Sequence, residues 1–218
     1  MNAFIQIVMF VMFPFFASAS IPSVILRYSP IFDSWCSNQT EIEITEAETD
    51  RLIAIFPNLQ AAWDKTGPTL LAKTVSIVKK SFYQKEMIGT IFLCKKTPSM
   101  SMPLLINANW FVKDSPQPTD LVVDIIYHEL IHTFLDDNFR NIFSSPLLTQ
   151  YKNEGDGVLA HLHLMAIQKK VYLELGLKDR IDKVIQFDSE SYKGAYKRAW
   201  EIVNLEGENR FVEELGSP

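Results

Sequence analysis

The stretch Leu121–Leu135, LVVDIIYHELIHTFL, decides the reading of this chain. His128, Glu129 and His132 stand in the pattern H-E-x-x-H inside an almost unbroken apolar run. On an α-helix, residues four apart share a face, so the His128 and His132 imidazoles can close on one metal ion, with Glu129 beside them. The run is apolar nearly all round, which predicts a buried helix. A buried helix with two imidazoles and a carboxylate needs partners for them, and a metal ion with its water meets that need. The preceding loop, Asp114–Thr119, offers Thr119 as N-cap, and Asp120 suits the positive end of the helix dipole. Only four histidines occur in the chain, so two at this spacing with a glutamate between them is a specific signal.

Around that segment the periodicity alternates between helix and strand. Ile21 to Asn38 reads as irregular and rich in aromatics. Thr45 and Glu48 form a capping box for a helix that passes Leu52, Ile53 and Ile55, is interrupted or kinked near Pro57, resumes from Leu59 to Trp63 and stops at Gly67. Thr69 to Tyr83 reads as a second amphipathic helix. Met87–Cys94 and Pro103–Phe111 read as strands joined by the polar link Lys95–Met102. A long helix then ends at the C-terminal glycine Gly176. Another spans Asp188 to Asn204, with Tyr192, Tyr196, Trp200 and Val203 at helical spacing. The expected class is α+β, mostly helical, with a small sheet packed against the His128–His132 helix.

The motif and this element order resemble the zincins, with a gluzincin-like second segment at Asn153-Glu154. The resemblance covers Thr119–His132 closely and Asn153–Ala166 loosely. It implies a zincin-like catalytic domain over residues 21–218 that holds Zn²⁺ through His128, His132 and a third ligand. Glu129 would be the general base in peptide-bond hydrolysis. It also implies an edge strand that binds the substrate backbone, for which Leu104–Trp110 is the candidate. The metzincin extension is absent, because Asn138 stands six residues after His132.

The third ligand must come from Tyr151–Ala166. Helical phase places His161 on an inward, mostly apolar face with Met165, Gln168 and Tyr172. It places Asp156, His163, Lys170 and Glu174 on a stripe that looks like the solvent face, so His163 reads as a solvated or hydrogen-bonded histidine. His161 is the first candidate, Glu154 the alternative, and His163 remains open. Asp156 is then the N-cap. Asp124 and Asp136, four residues to either side of the histidine pair, are candidates to orient the imidazoles or are simply solvated. Any of Tyr127, Tyr172, Tyr192 or Tyr196 can supply a hydroxyl to a developing oxyanion.

Composition limits the setting. The apolar run Phe4–Phe16 followed by Ala17-Ser18-Ala19 reads as a signal peptide over residues 1–20. That implies export, to a periplasm or the extracellular space, with no stable membrane span after cleavage. Cys36 and Cys94 then favour one disulfide. Net charge is −5, with no basic stripe, which argues against nucleic acid as a partner. The expected partner is a peptide or protein substrate. Two rival readings remain: an exported, non-catalytic zinc-binding or protein-interaction domain, and a metal-free helical module.

Overall fold

The computed structural model describes residues 21–192 and 194–216. The leader read in residues 1–20 lies outside them. The described chain opens with β1 (Ser23–Tyr28) and α1 (Pro30–Thr40), where the sequence reading expected irregular structure. Val24 and Leu26 face inward between exposed Ser23, Ile25 and Arg27, which is strand alternation. The outward Ile25 hides that period, because it is apolar too. Ser29 then caps α1 by accepting from the Phe32 N–H, and Pro30 opens its first turn.

The capping box at Thr45 and Glu48 is present, and it starts one continuous helix, α2 (Glu46–Val78). The helix is neither interrupted at Pro57 nor stopped at Gly67. A proline inside a helix costs about 3 kcal/mol. Against two of them stand Leu52, Leu59, Trp63, Leu70, Leu71 and Val75, all buried, each stabilising by roughly 2 kcal/mol. Gly67 serves packing instead of termination: a Cβ there would lie 2.5 Å from the Trp63 indole.

Strands β2 (Glu86–Phe92) and β3 (Leu105–Asn107) complete a parallel sheet in the order β1-β2-β3, with Ile25 opposite Ile88 and Ile91 opposite Ile106. Both edges find partners within the chain. Gln60 of α2 donates to the Val24 carbonyl at 3.1 Å and accepts from the Leu26 N–H at 2.7 Å. On the far side, Leu105 exchanges two 2.9 Å bonds with Met100, and the Asn107 N–H donates to Ser99 Oγ. The open substrate-binding edge expected at Leu104–Trp110 is therefore taken by the chain's own residues 99–100. The segment also turns into α3 (Asn109–Val112) sooner than a strand to Phe111 would allow.

Next comes α4 (Leu121–Asn138), the motif helix, buried on nearly every face as expected and packed against α2 and β3. It begins after Asp120; Thr119 contributes its backbone carbonyl to the Val122 N–H. A 3-10 turn (Ile142–Ser144) and α5 (Pro146–Gln150) lead to α6 (Asp156–Glu174), which lies against α4. Gly155, not Asp156, occupies the cap position of α6, and Gly176 ends it at φ +72°. The helix expected over Asp188–Asn204 is two, α7 (Lys178–Ser191) and α8 (Ala195–Glu206), separated at Gly194 with φ +78°. Tyr192 and Tyr196 thus lie on different elements. Helix α9 (Glu208–Gly216) closes over α6.

The expected disulfide joins Cys36 of α1 to Cys94 just past β2, across 58 residues. Its sulfurs sit in a small satellite core with Phe92 and Leu105. Replacing both cysteines by serine should lower unfolding stability by roughly 2–4 kcal/mol, read from the denaturant midpoint, because the cross-link limits the unfolded chain. An unchanged midpoint would show that the bond does not hold the sheet to α1.

Candidate metal centre

Helix α4 presents His128, Glu129 and His132 to α6, and α6 answers with His161. The three imidazoles form a near-equilateral cluster, with ring centroids 5.0 Å apart for His128–His132, 5.3 Å for His128–His161 and 4.9 Å for His132–His161. One ligand nitrogen from each lies within 4.8 Å of the others. Local sequence explains the third ring. The His161 Nδ1–H donates to the Gly157 carbonyl one turn earlier, at 2.5 Å. That bond fixes the tautomer and leaves the Nε2 lone pair facing the cluster. His161 Nε2 is buried and has no hydrogen-bond partner.

The electrostatics suit neutral, ligating rings. Burial drives the His128 imidazole well below its ordinary value, and His132 and His161 beside it add to the effect, with Gln168 opposing. Burial and then His161 lower His132 to about 3. Burial lowers His161 as well, against the pull of the Gly157 carbonyl. Three uncharged imidazoles and an orphaned buried nitrogen are what a soft-to-borderline divalent cation requires, so the donor set fits a metal ion.

Glu129 is 6% exposed, and burial pushes its carboxyl up to about 8. It lines a narrow hollow with His128, Gln168, Asp188, Tyr192 and Tyr196. Of the four tyrosines that sequence left equal, the structure brings Tyr196 to the cluster. Its ring stacks on His128 at 5.3 Å, lies 4.3 Å from His161, and its hydroxyl is 3.4 Å from His128 Nε2. Burial, and then the Glu129 carboxylate, raise its pKa far above the ordinary phenol range, so it remains a donor. Tyr127 is bonded to Thr74 at 2.6 Å, and Tyr172 to Asp124. Tyr196 reaches its place because α8 approaches α6 closely: a Cβ on Gly157 would lie 3.2 Å from that of Ala195.

Other expectations are corrected. Glu154 lies outside the cluster, ion-paired with Arg198 at 2.7 Å. Of the two readings for His163, solvated or hydrogen-bonded, the structure shows the second: it is 2% exposed, covered by Phe211, and its Nε2 is 2.8 Å from Glu214 of α9. The stripe looked polar because its covering helix is remote in sequence. Asp124 bonds Tyr172 and Arg180, the latter at 2.8 Å, and does not orient an imidazole. Asp136 lines a small hollow with His132 but makes no hydrogen bond to it.

Two residues of the site carried little sequence signal. Gln168 was placed on the His161 face by its spacing, yet nothing indicated that its carboxamide would lie beside the His128 ring. Asp188 reaches the hollow from α7, where Trp200 Nε1 donates to it at 2.9 Å, and burial pushes its carboxyl up to about 7.

No protein-family model matches the sequence, and no curated protein or solved structure is significantly similar to it. The site's chemistry therefore rests on its own geometry.

His161→Ala should weaken divalent-metal binding by more than the roughly 10–100-fold that loss of an outer hydrogen-bond partner costs. Glu154→Gln should leave it unchanged. Metal content after dialysis of untagged protein separates the two, and the opposite ranking would move the third ligand to Glu154.

Proposed function

We propose that this chain is an exported zinc metallopeptidase with a zincin-like catalytic arrangement. The observation that carries the reading is the cluster of three neutral imidazoles, one of which, His128, lines a narrow hollow together with the buried carboxyl of Glu129. The third ligand in this reading is His161, so the likeness to gluzincins is confined to the H-E-x-x-H helix and to delivery of a ligand from the following helix. Three protein ligands leave a coordination position for water or substrate, whereas purely structural zinc sites use four. Among the described residues, the cluster contains no fourth His, Cys, Asp or Glu.

When bound, a zinc ion supplies Lewis acidity, acidifying water and polarising the substrate carbonyl. The chain's own groups do the rest. Glu129, whose desolvated carboxylate is a stronger base than an exposed one, takes the proton from the attacking water and delivers it to the leaving nitrogen. The Tyr196 hydroxyl donates to the oxygen on which negative charge develops. The Gly157 carbonyl steadies His161.

Export is supported by the Cys36–Cys94 bond, which persists in oxidising compartments, and by the leader read in residues 1–20. No helix among the described residues is long and apolar enough to cross a membrane.

Glu129→Gln should retain metal at wild-type stoichiometry and keep the fold, while peptide hydrolysis falls about 10²–10⁴-fold. Cleavage at the wild-type rate would remove Glu129 from the role of base. Tyr196→Phe keeps the ring stack and deletes only the hydroxyl; kcat should drop about 10²-fold with KM nearly constant. A change confined to KM would make Tyr196 a substrate-binding group only.

A further inference from the structure

Two larger hollows flank the narrow one at the metal centre, and their charges differ. One, of about 520 Å³, continues from it through Leu121, Asp124 and Phe187. Its cations are mostly committed: Arg180 to Asp124 at 2.8 Å and Lys178 to Asp182 at 2.5 Å. The other, of about 470 Å³, meets the centre at Tyr192 and is walled by Trp110. Three lysines line it against a single glutamate, and that glutamate, Glu48, is already held by Lys95 at 2.8 Å. Lys96 and Lys113 have no carboxylate partner among the described residues; Lys113 instead lies over the Trp110 ring, with Nζ 4.0 Å from its centroid.

We propose that the hollow between Trp110, Tyr192, Lys96 and Lys113 is a substrate subsite that receives a carboxylate, from an acidic side chain or a chain terminus, so that acidic peptides are preferred. The proposal deepens the peptidase reading and rests on it. Three observations support it. The surplus of positive charge is local, in a chain whose net charge is −5; such a patch draws in anionic ligands and selects among them. The floor is rigid: Asn107 donates to the Cys94 and Thr97 carbonyls at 2.7 and 2.6 Å and accepts twice from Asn109, at 2.9 and 2.7 Å. The Cys36–Cys94 bond anchors that same loop. A preordered floor lowers the entropic cost of binding. Finally, the subsite is joined to the cluster by stacked rings, Tyr192 on Tyr196 at 4.9 Å and Tyr196 on His128 at 5.3 Å. A peptide lying along those rings reaches both places, its backbone over the metal centre and its carboxylate between the lysines.

The test uses zinc-loaded full-length Glu129→Gln protein and isothermal titration with heptapeptides. One set is blocked at both ends and carries a single Glu moved along a neutral chain. A second has Gln in its place, and a third is the Gln peptide with a free C-terminal carboxylate. At least one carboxylate peptide should bind about tenfold more tightly than its neutral counterpart, the scale of one well-placed charge-assisted contact. The first and third sets identify whether side chain or terminus supplies it. Adding Lys96→Glu and Lys113→Glu, both exposed and distant from the metal ligands, should abolish the preference while zinc content stays the same. Equal binding of acidic and neutral peptides, no binding of any, or a preference that survives the double reversal overturns the subsite. Wild-type hydrolysis of the same peptides is read separately: selective binding without cleavage sinks the peptidase reading and keeps the subsite, and cleavage without selectivity sinks the subsite alone.

Discussion

The structure depends on one constraint: polar side chains on a helix with no free face must find partners inside the protein. Helix α4 is enclosed by α2, α6 and the sheet, so His128 and Glu129 are nearly buried. Each polar group on it has a distinct answer. Tyr127 meets Thr74, and Asp124 meets Tyr172 and Arg180. His128, His132 and Glu129 turn together toward α6 and α8, where His161 and Tyr196 wait. The groups that find ordinary partners are structural. Those that are gathered without one, above all His161 Nε2, mark the place where chemistry is expected.

Burial also sets the chemistry of that place. Desolvation disfavours charge on both kinds of group, so the imidazoles are held neutral and the Glu129 carboxyl is made more basic. Neutral rings can serve as metal ligands and a basic carboxylate as a proton acceptor, so in the proposed function one physical cause tunes both halves of the site. Tyr196 extends the argument. Its phenol is kept protonated by the same burial and by the adjacent Glu129 charge, which makes it a donor where a negative oxygen would form.

What was legible in the sequence follows from the range of the signals. The motif helix, its burial, the Thr45 capping box, the Gly176 stop, the inward phase of His161 and the Cys36–Cys94 pairing all depend on spacing within one element or on simple counting. The errors were of two kinds. Punctuating residues were over-read at Pro57 and Gly67, where tertiary burial of Leu59, Trp63 and Leu70 outweighed local cost. Long-range cover was invisible at His163, which α9 shields from 51 residues away, and at Leu105, whose open edge is taken by Met100. Gln168 and Asp188 belong to the second kind: no local pattern distinguishes a glutamine beside a metal ligand from one in any packed helix.

The small sheet matters more to the site than its size suggests. It is parallel, and both of its edges find partners within the chain, Gln60 at Val24 and Leu26 on one side and Ser99 and Met100 on the other. In the proposed peptidase, residues 99–100 keep a substrate from adding to the β3 edge, so the backbone of a bound peptide would be held by other means. What remains beside the metal centre is a row of aromatic faces, with Trp110 against Phe187 and Tyr192 against Tyr196, flanked by hollows on either side. Recognition in such a site shifts from main-chain hydrogen bonds to side-chain pockets. For the proposed substrate, the occupied β3 edge would therefore place specificity on the charge and shape of the two hollows.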